Sequence, residues 1–455
     1  MKRKVGPARP APGMAGLRHP TQVIAVAFAT AVIIGSGLLS LPVATESGER
    51  ADFLDALFTS TSAVCVTGLI VVDTPGYWST FGEVVILVLI QAGGLGIMTL
   101  ATLFAVLVSR RLGLRARLLA QAETKSLTLR DLRRVIRNIV LFSLGTEAVV
   151  AVVLIGAFAV GHGEPLGRAA YDGVFHAVSA FNNAGFSLND DSLMAYVADP
   201  WVSLTVCAAV IVGGLGFPVI FELHRAWRRP RTWSVLTRLT LGLTGVLLVA
   251  GTLVITLAEY TNPGTLGPLS ASEKWLAGFF GSVNARTAGF NSIDVAAQGP
   301  ESLLATDILM FVGGGSAGTA GGIKVTTFGV LAYVIWAEIR GEPDAKVGRR
   351  RIPGTNQRQA LAIALIGVGV VALATFVLLC VSDYGLDEVL FETISAFATV
   401  GLSTGITADL PPAGRGVLIA LMFVGRIGPL TLASALALRH RTRRYELPEE
   451  RTVVG

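Results

Sequence analysis

Four stretches of this chain repeat one arrangement whose backbone is suited to holding a bare cation. They read Phe58-Thr-Ser-Thr-Ser-Ala-Val-Cys-Val-Thr-Gly68, Phe175-His-Ala-Val-Ser-Ala-Phe-Asn-Asn-Ala-Gly185, Phe279-Phe-Gly-Ser-Val-Asn-Ala-Arg-Thr-Ala-Gly289 and Phe391-Glu-Thr-Ile-Ser-Ala-Phe-Ala-Thr-Val-Gly401. A large apolar residue follows each glycine, and the glycines are 117, 104 and 112 residues apart. A second glycine group comes about 25 residues later each time: Gly93-Gly94-Leu-Gly96, Gly213-Gly214-Leu-Gly216, Gly313-Gly314-Gly315 and Gly425-Arg426-Ile-Gly428. Glycine reaches backbone angles closed to other residues. Carbonyls turned toward one axis replace the hydration shell of a potassium ion. The backbone carbonyls expected to do so belong to Cys65, Val66, Thr67 and Gly68; Asn182, Asn183, Ala184 and Gly185; Arg286, Thr287, Ala288 and Gly289; and Ala398, Thr399, Val400 and Gly401.

Other residues carry different chemistry. The run Gly313, Gly314, Gly315, Ser316, Ala317, Gly318, Thr319, Ala320, Gly321, Gly322, followed after Ile323 by Lys324, is too rich in glycine to hold a helix, at roughly 1 kcal/mol per glycine relative to alanine. It reads as a loop inside the membrane, with the Ser316 and Thr319 hydroxyls expected to satisfy freed backbone groups. A phosphate-binding loop would need a Gly-Lys-Ser/Thr ending, which this run lacks. Arg426 lies in the middle of an apolar stretch, and an intramembrane arginine is a functional candidate by default. Glu147 is the other ionisable residue placed so deeply. Arg286 would block a cation path if it faced inward; it is expected to turn behind its loop and pair with a carboxylate, with Glu392 the named candidate. Cys65, Cys207 and Cys380 stand far apart and the five histidines are scattered, so neither a disulfide nor a metal spacing emerges. An enzyme would need a buried His, Asp or Glu constellation, and a solute carrier would need more ionisable residues in mid-span; neither pattern is present.

The elements that must position these residues are membrane helices. Of 455 residues 52% are hydrophobic and only 15% charged, where a soluble chain is about a quarter charged. Apolar blocks at Thr21–Leu41, Val84–Val108, Val135–Gly161, Val202–Phe221, Val235–Leu257, Ala360–Val381 and Val417–Leu438 approach or exceed the ~20 residues that cross a bilayer. An eighth, Leu303–Trp336, is broken by glycines. Basic clusters follow every second block, which places both termini in the cytoplasm by the positive-inside rule and makes nucleic-acid binding a poor use of the +6 net charge. The alternate loops are acidic, a distribution that draws cations inward. The expected fold is an all-α polytopic membrane protein with eight transmembrane helices. Four helix–pore-loop–helix repeats would surround one central pore in pseudo-fourfold symmetry. Its expected divisions are a cytoplasmic tail (1–20), repeat 1 (21–109), a basic cytoplasmic loop (110–134), repeat 2 (135–225), repeat 3 (234–339) with the loop 313–322, repeat 4 (358–438) and a cytoplasmic tail (439–455). The basic loop fits either the membrane surface or a regulatory subunit.

From about Thr21 to the C-terminus, the motifs Ala-Val-Cys-Val-Thr-Gly68-Leu, Phe-Asn-Asn-Ala-Gly185-Phe, Asn-Ala-Arg-Thr-Ala-Gly289-Phe and Phe-Ala-Thr-Val-Gly401-Leu resemble the Trk/Ktr/HKT superfamily of potassium transporters. The first repeat begins without an extra helix pair, which is most similar to the bacterial Ktr-type membrane subunit. The resemblance implies a potassium-translocating homodimer in the bacterial plasma membrane, with sodium as an activator. Beneath it would dock a cytosolic regulatory ring of the RCK type, and the only nucleotide, NAD or ATP/ADP, would sit on that partner. The resemblance further implies that 313–322 is a gating loop below the filter and that Arg426 holds its carbonyls. The alternatives are a Trk-type symporter of potassium or sodium and, more distantly, a repeat-built carrier for another small solute.

Overall fold

The computed structural model describes the backbone of residues 20–110, 129–348 and 350–438, with side chains over 25–96, 134–348 and 350–428. The expected basic loop 110–134 lies mostly outside these residues, as do the tails 1–19 and 439–455.

Four groups of helices share one order. The first is α1 (Pro20–Leu39), α2 (Phe53–Cys65) and α3 (Thr80–Arg110); the second is α4 (Leu129–Gly156), α5 (Leu166–Asn182), α6 (Pro200–Leu215) and α7 (Phe217–Ala226). The third is α8 (Val235–Ala258), α9 (Ala271–Asn284), α10 (Pro300–Phe311) and α11 (Val325–Ile339); the fourth is α12 (Gly354–Val381), α13 (Leu386–Ala398) and α14 (Pro412–Leu438). A two-residue antiparallel pairing, Lys346–Val347 with Arg350–Arg351, joins the third group to the fourth and is the exception to an all-helical chain among the described residues.

Helix starts are chemically marked. Asp52 accepts from Leu54 N ahead of α2, Asp199 accepts from Trp201 N ahead of α6, and Ser270 with Glu273 forms a capping box on α9. Among the described residues, 134–161, 235–258 and 354–381 are helical, long and apolar enough to cross a bilayer. Val202–Phe221 is not the continuous span its hydropathy suggests: α6 and α7 meet at 98° around Gly216. Gly216 has φ +91°, and a Cβ there would meet Ser316 O at 2.4 Å. Phe217-Pro218 then starts the next helix. Leu303–Trp336 is interrupted as expected, with Val312 and Ile323 bridging the two ends of the break.

Each short helix packs inside its own group and also against the helix that follows the short helix of the preceding group: α5 on α3, α9 on α6, α13 on α10, and α2 on α14. The last contact closes the order into a circle. Buried phenylalanines fill the space behind the short helices: Phe58, Phe175 and Phe391, with Phe280 rather than Phe279 in the third group. Side chains such as Ile33, Val152, Val249 and Phe376 face outward, the arrangement suited to lipid contact.

Candidate functional site

Left-handed residues stand two positions before the motif glycines; three cap α2, α5 and α13 directly, whereas the one in the third group follows three residues after α9 ends at Asn284. These are Val66 (φ 55°), Asn183 (φ 59°), Thr287 (φ 81°) and Thr399 (φ 51°), and the glycines themselves have φ 92°, 73°, 77° and 98°. A left-handed residue reverses the chain at a helix end and lets the following amides bond backward. Thr67 N donates to Ser62 O, Ala184 N to Ser179 O and Val400 N to Ser395 O, at 2.8–2.9 Å. The serines add side-chain bonds: Gly68 N donates to Ser62 Oγ, Gly401 N to Ser395 Oγ, and Ser179 Oγ to Phe186 O. The third loop differs, with Ala288 N and Gly289 N both directed at Asn284 O.

The four glycines close a ring. A Cβ on Gly68 would meet Ala184 O at 2.4 Å, on Gly185 Ala288 O at 2.6 Å, on Gly289 Val400 O at 2.4 Å, and on Gly401 Thr67 O at 2.1 Å. Each glycine therefore lies against the carbonyl that precedes the glycine of the next group. The second glycine groups serve the same assembly. A Cβ on Gly93, Gly213 or Gly425 would fall within 2.0 Å of Val64 O, Phe181 O or Phe397 O, the matching carbonyls near the ends of α2, α5 and α13. These inner glycines admit a helix to the backbone behind three of the four loops, a closer approach than small-residue helix packing requires.

The glycine run 313–322 lies against the break in the second group. Gly315 N donates to Gly214 O, Thr319 N to Gly213 O, and Phe217 N to Ala317 O. Three cationic side chains reach its carbonyls: Arg426 Nη1 to Thr319 O at 2.6 Å, Lys324 Nζ to Ala320 O at 2.6 Å, and Arg286 Nη2 to Gly313 O at 3.4 Å. Among the described residues none of the three has a carboxylate partner. Thr319 Oγ lies 2.9 Å from Asn183 Oδ1 and 3.1 Å from Phe181 O. Ser316 does not serve the loop backbone; its hydroxyl pairs with Thr326 Oγ at 3.0 Å.

The expected Arg286–Glu392 pair does not form. Arg286 occupies the position of Cys65, Asn182 and Ala398, which precedes the left-handed residue. From there its side chain runs to Thr244 and Gly313. Glu392 is instead filled by its own group: Ser403 Oγ, Thr404 N and Thr407 Oγ all donate to it. His176 occupies the matching place in the second group and contacts Ser187 Oγ at 3.0 Å. Ser187 and Ser403 each accept an amide two residues on, Asn189 N and Gly405 N. These twin braces escape a reading built on the glycines, although both span eleven residues of sequence. No cluster of three His, Cys, Asp or Glu side chains able to hold a metal occurs among the described residues.

The sequence matches the family model described as TrkH, cation transport protein, over residues 14–446. It is 42% identical over 418 residues to the Ktr system potassium uptake protein B of Bacillus subtilis, covering 92% of this chain and 93% of that protein. The protein of the same name from Vibrio alginolyticus is 40% identical over 435 residues, 95% and 94% of the two chains. The potassium/sodium uptake protein NtpJ of Enterococcus hirae is 35% identical over 445 residues, 96% and 97%. The crystal structure of the potassium transporter TrkH from Vibrio parahaemolyticus superposes with a TM-score of 0.71 over 95% of this chain and 87% of that one, at 18% identity.

Proposed function

The chain belongs to the TrkH family of cation transport proteins, and on that footing we propose that it is the membrane-embedded, potassium-conducting subunit of a Ktr-type uptake system. The observation that carries this reading is the ring formed by Gly68, Gly185, Gly289 and Gly401, each against the next group's carbonyl. Irregular backbone at membrane depth is tolerated where protein buries it or where it lines a wet cavity. Four such segments around one axis supply stacked carbonyl oxygens for a dehydrated potassium ion, the substrate. The ion would pass Cys65–Gly68, Asn182–Gly185, Arg286–Gly289 and Ala398–Gly401, then meet the glycine run 313–322, which acts as the gate. The basic side chains bound to that run, Arg426 and Arg286 above all, hold it in place below the filter, and displacing the run opens the path.

Four loops in one chain complete a filter, so the homodimer has one pore per subunit. A mixed dimer with a single Gly401→Arg subunit keeps about half of the flux. A cytosolic RCK-type ring, carrying the regulatory nucleotide, would pull on α11 and draw the run aside, with sodium as an activator. The location is the bacterial plasma membrane, with both termini cytoplasmic. The test is growth of a potassium-uptake-deficient bacterium on low potassium, with and without a cognate regulatory subunit. Restored growth with the regulator present is expected. Absence of growth and of rubidium uptake by correctly inserted protein would overturn the reading.

A further inference from the structure

Glu147 is a buried acid that the conduction path does not use. It lies on α4, 5% exposed, and among the described residues it enters no ion pair. Ser143 Oγ donates to Glu147 Oε1 at 2.8 Å and Gln91 Nε2 at 3.1 Å. The other oxygen, Oε2, has only a 3.4 Å approach from Gln91 Nε2. Asn182 Nδ2 also lies 3.4 Å from Oε1, but its two hydrogens are taken by Gln91 Oε1 at 2.8 Å and Val178 O at 2.9 Å. One well-served oxygen, one nearly bare oxygen and no cation favour a neutral carboxylic acid over an ionised one. An ionised one at this depth would need more donors or a counter-charge.

The three polar side chains form a directed chain. Because Glu147 accepts from Gln91 Nε2, the Gln91 amide must turn its oxygen toward Asn182. That oxygen then accepts from Asn182 Nδ2 and fixes which way the Asn182 amide faces. Asn182 Oδ1 is left buried without a partner, against Gly94, where a Cβ would approach it to 1.9 Å. Asn182 ends α5 and immediately precedes the left-handed Asn183. Gln91 is on α3, so the chain joins the first group to the loop of the second. The matching residues Cys65 and Ala398 have no polar side chain able to receive such a relay.

We propose that Glu147 in its neutral form is a positioning residue for potassium selection, acting through Gln91 on Asn182 and hence on the second filter loop. This deepens the conduction reading and rests on it. It predicts a specific order of severity. Glu147→Gln keeps an uncharged group able to accept from Gln91, so its potassium-over-sodium preference stays within twofold of the unaltered protein. Glu147→Ala and Gln91→Leu each break the relay and lower that preference about tenfold. The double variant is no worse than either single one, because both cut the same chain.

The experiment measures potassium and sodium flux through purified, reconstituted protein, with size-exclusion profile and thermal midpoint recorded for every variant. Should Glu147→Ala not fold, Gln91→Leu and its combination with Glu147→Gln carry the test, and that combination must match Gln91→Leu alone. Equal damage from Glu147→Gln and Glu147→Ala would overturn the proposal by showing that charge matters. Unchanged preference in folded Glu147→Ala or Gln91→Leu would overturn it as well, and so would additive losses. If the unaltered protein prefers neither ion, the conduction reading itself fails, a result separate from all of these.

Discussion

The Thr319 hydroxyl donates to Asn183 Oδ1 at 2.9 Å although 136 residues separate the two. Thr319 sits in the glycine run, and Asn183 is the left-handed residue of the second glycine loop. The same threonine donates its amide to Gly213 O and accepts from Arg426 at its carbonyl. One residue thus ties the proposed gate to the second glycine loop, an inner helix and α14.

Thr319→Val keeps the shape and removes the hydroxyl. A lost neutral hydrogen bond weakens the closed arrangement by about 1 kcal/mol, which raises the open population roughly fivefold while it remains the minor state. Potassium flux without the regulator should rise by that factor in proteoliposomes. Flux equal to that of the unaltered protein would remove Thr319 from the gate.

Arg426→Ala should act in the same direction and further. Its short bond to Thr319 O is charge-assisted, a class worth about 1.5–3 kcal/mol, so regulator-free flux should rise by about one to two orders of magnitude. Arg426→Lys should fall between the two, because an ammonium cannot reach Thr319 O and the Gly93 carbonyl together as the guanidinium does. Removing Ser316 to Thr319 is a second route to the same leak. If folded Arg426→Ala shows no leak, the barrier lies elsewhere.

Gly68→Ser introduces a Cβ at φ +92° that meets Ala184 O at 2.4 Å. The carbonyl of the second loop must move, and the ring loses its spacing at that corner. We expect the potassium-to-sodium flux ratio to fall at least tenfold, about 1.4 kcal/mol of discrimination, with protein yield little changed. An unaltered ratio would count against the ring as the filter.

Glu392 holds the segment beyond the fourth glycine through three residues. Glu392→Ala strands the Thr404 amide in the interior and should cost about 1–3 kcal/mol of stability for that group alone. A lower thermal midpoint is expected, together with weaker ion preference. Glu392→Gln keeps acceptance at one oxygen only, so it should fall between Ala and the unaltered protein. A Glu392→Ala midpoint matching the unaltered protein would show that the brace bears no load.

The four loops were legible because their chemistry is backbone chemistry. Glycine at a fixed distance from a phenylalanine leaves a trace in one sequence, and the left-handed angles at 66, 183, 287 and 399 follow its register. The partner of Arg286 was not legible, since its bonds run to Thr244 and the Gly313 carbonyl in other elements, while Glu392 is taken by Ser403, Thr404 and Thr407. Aligning Arg286 with Asn182, whose amide turns toward an inner helix, would have pointed it correctly. The break at Gly216 had a local signal in Phe217-Pro218, which overall hydropathy concealed. Ser187 with His176 and Ser403 with Glu392 recur in two groups of four, too few for a repeat to disclose them.

The contact between Gly401 and Thr67 O bears on how the protein is made. Groups one to three supply two of the ring's four junctions as they leave the ribosome, but the remaining two wait for residues near 400. A nascent or truncated chain ending before the fourth group therefore has no closed ring, whatever helices it has already inserted. Such long-range closure is slow to form. On the proposed conduction reading, premature products then have no closed ring through which to discharge the ion gradients of the cell, and synthesis from end to end is itself a safeguard against leak.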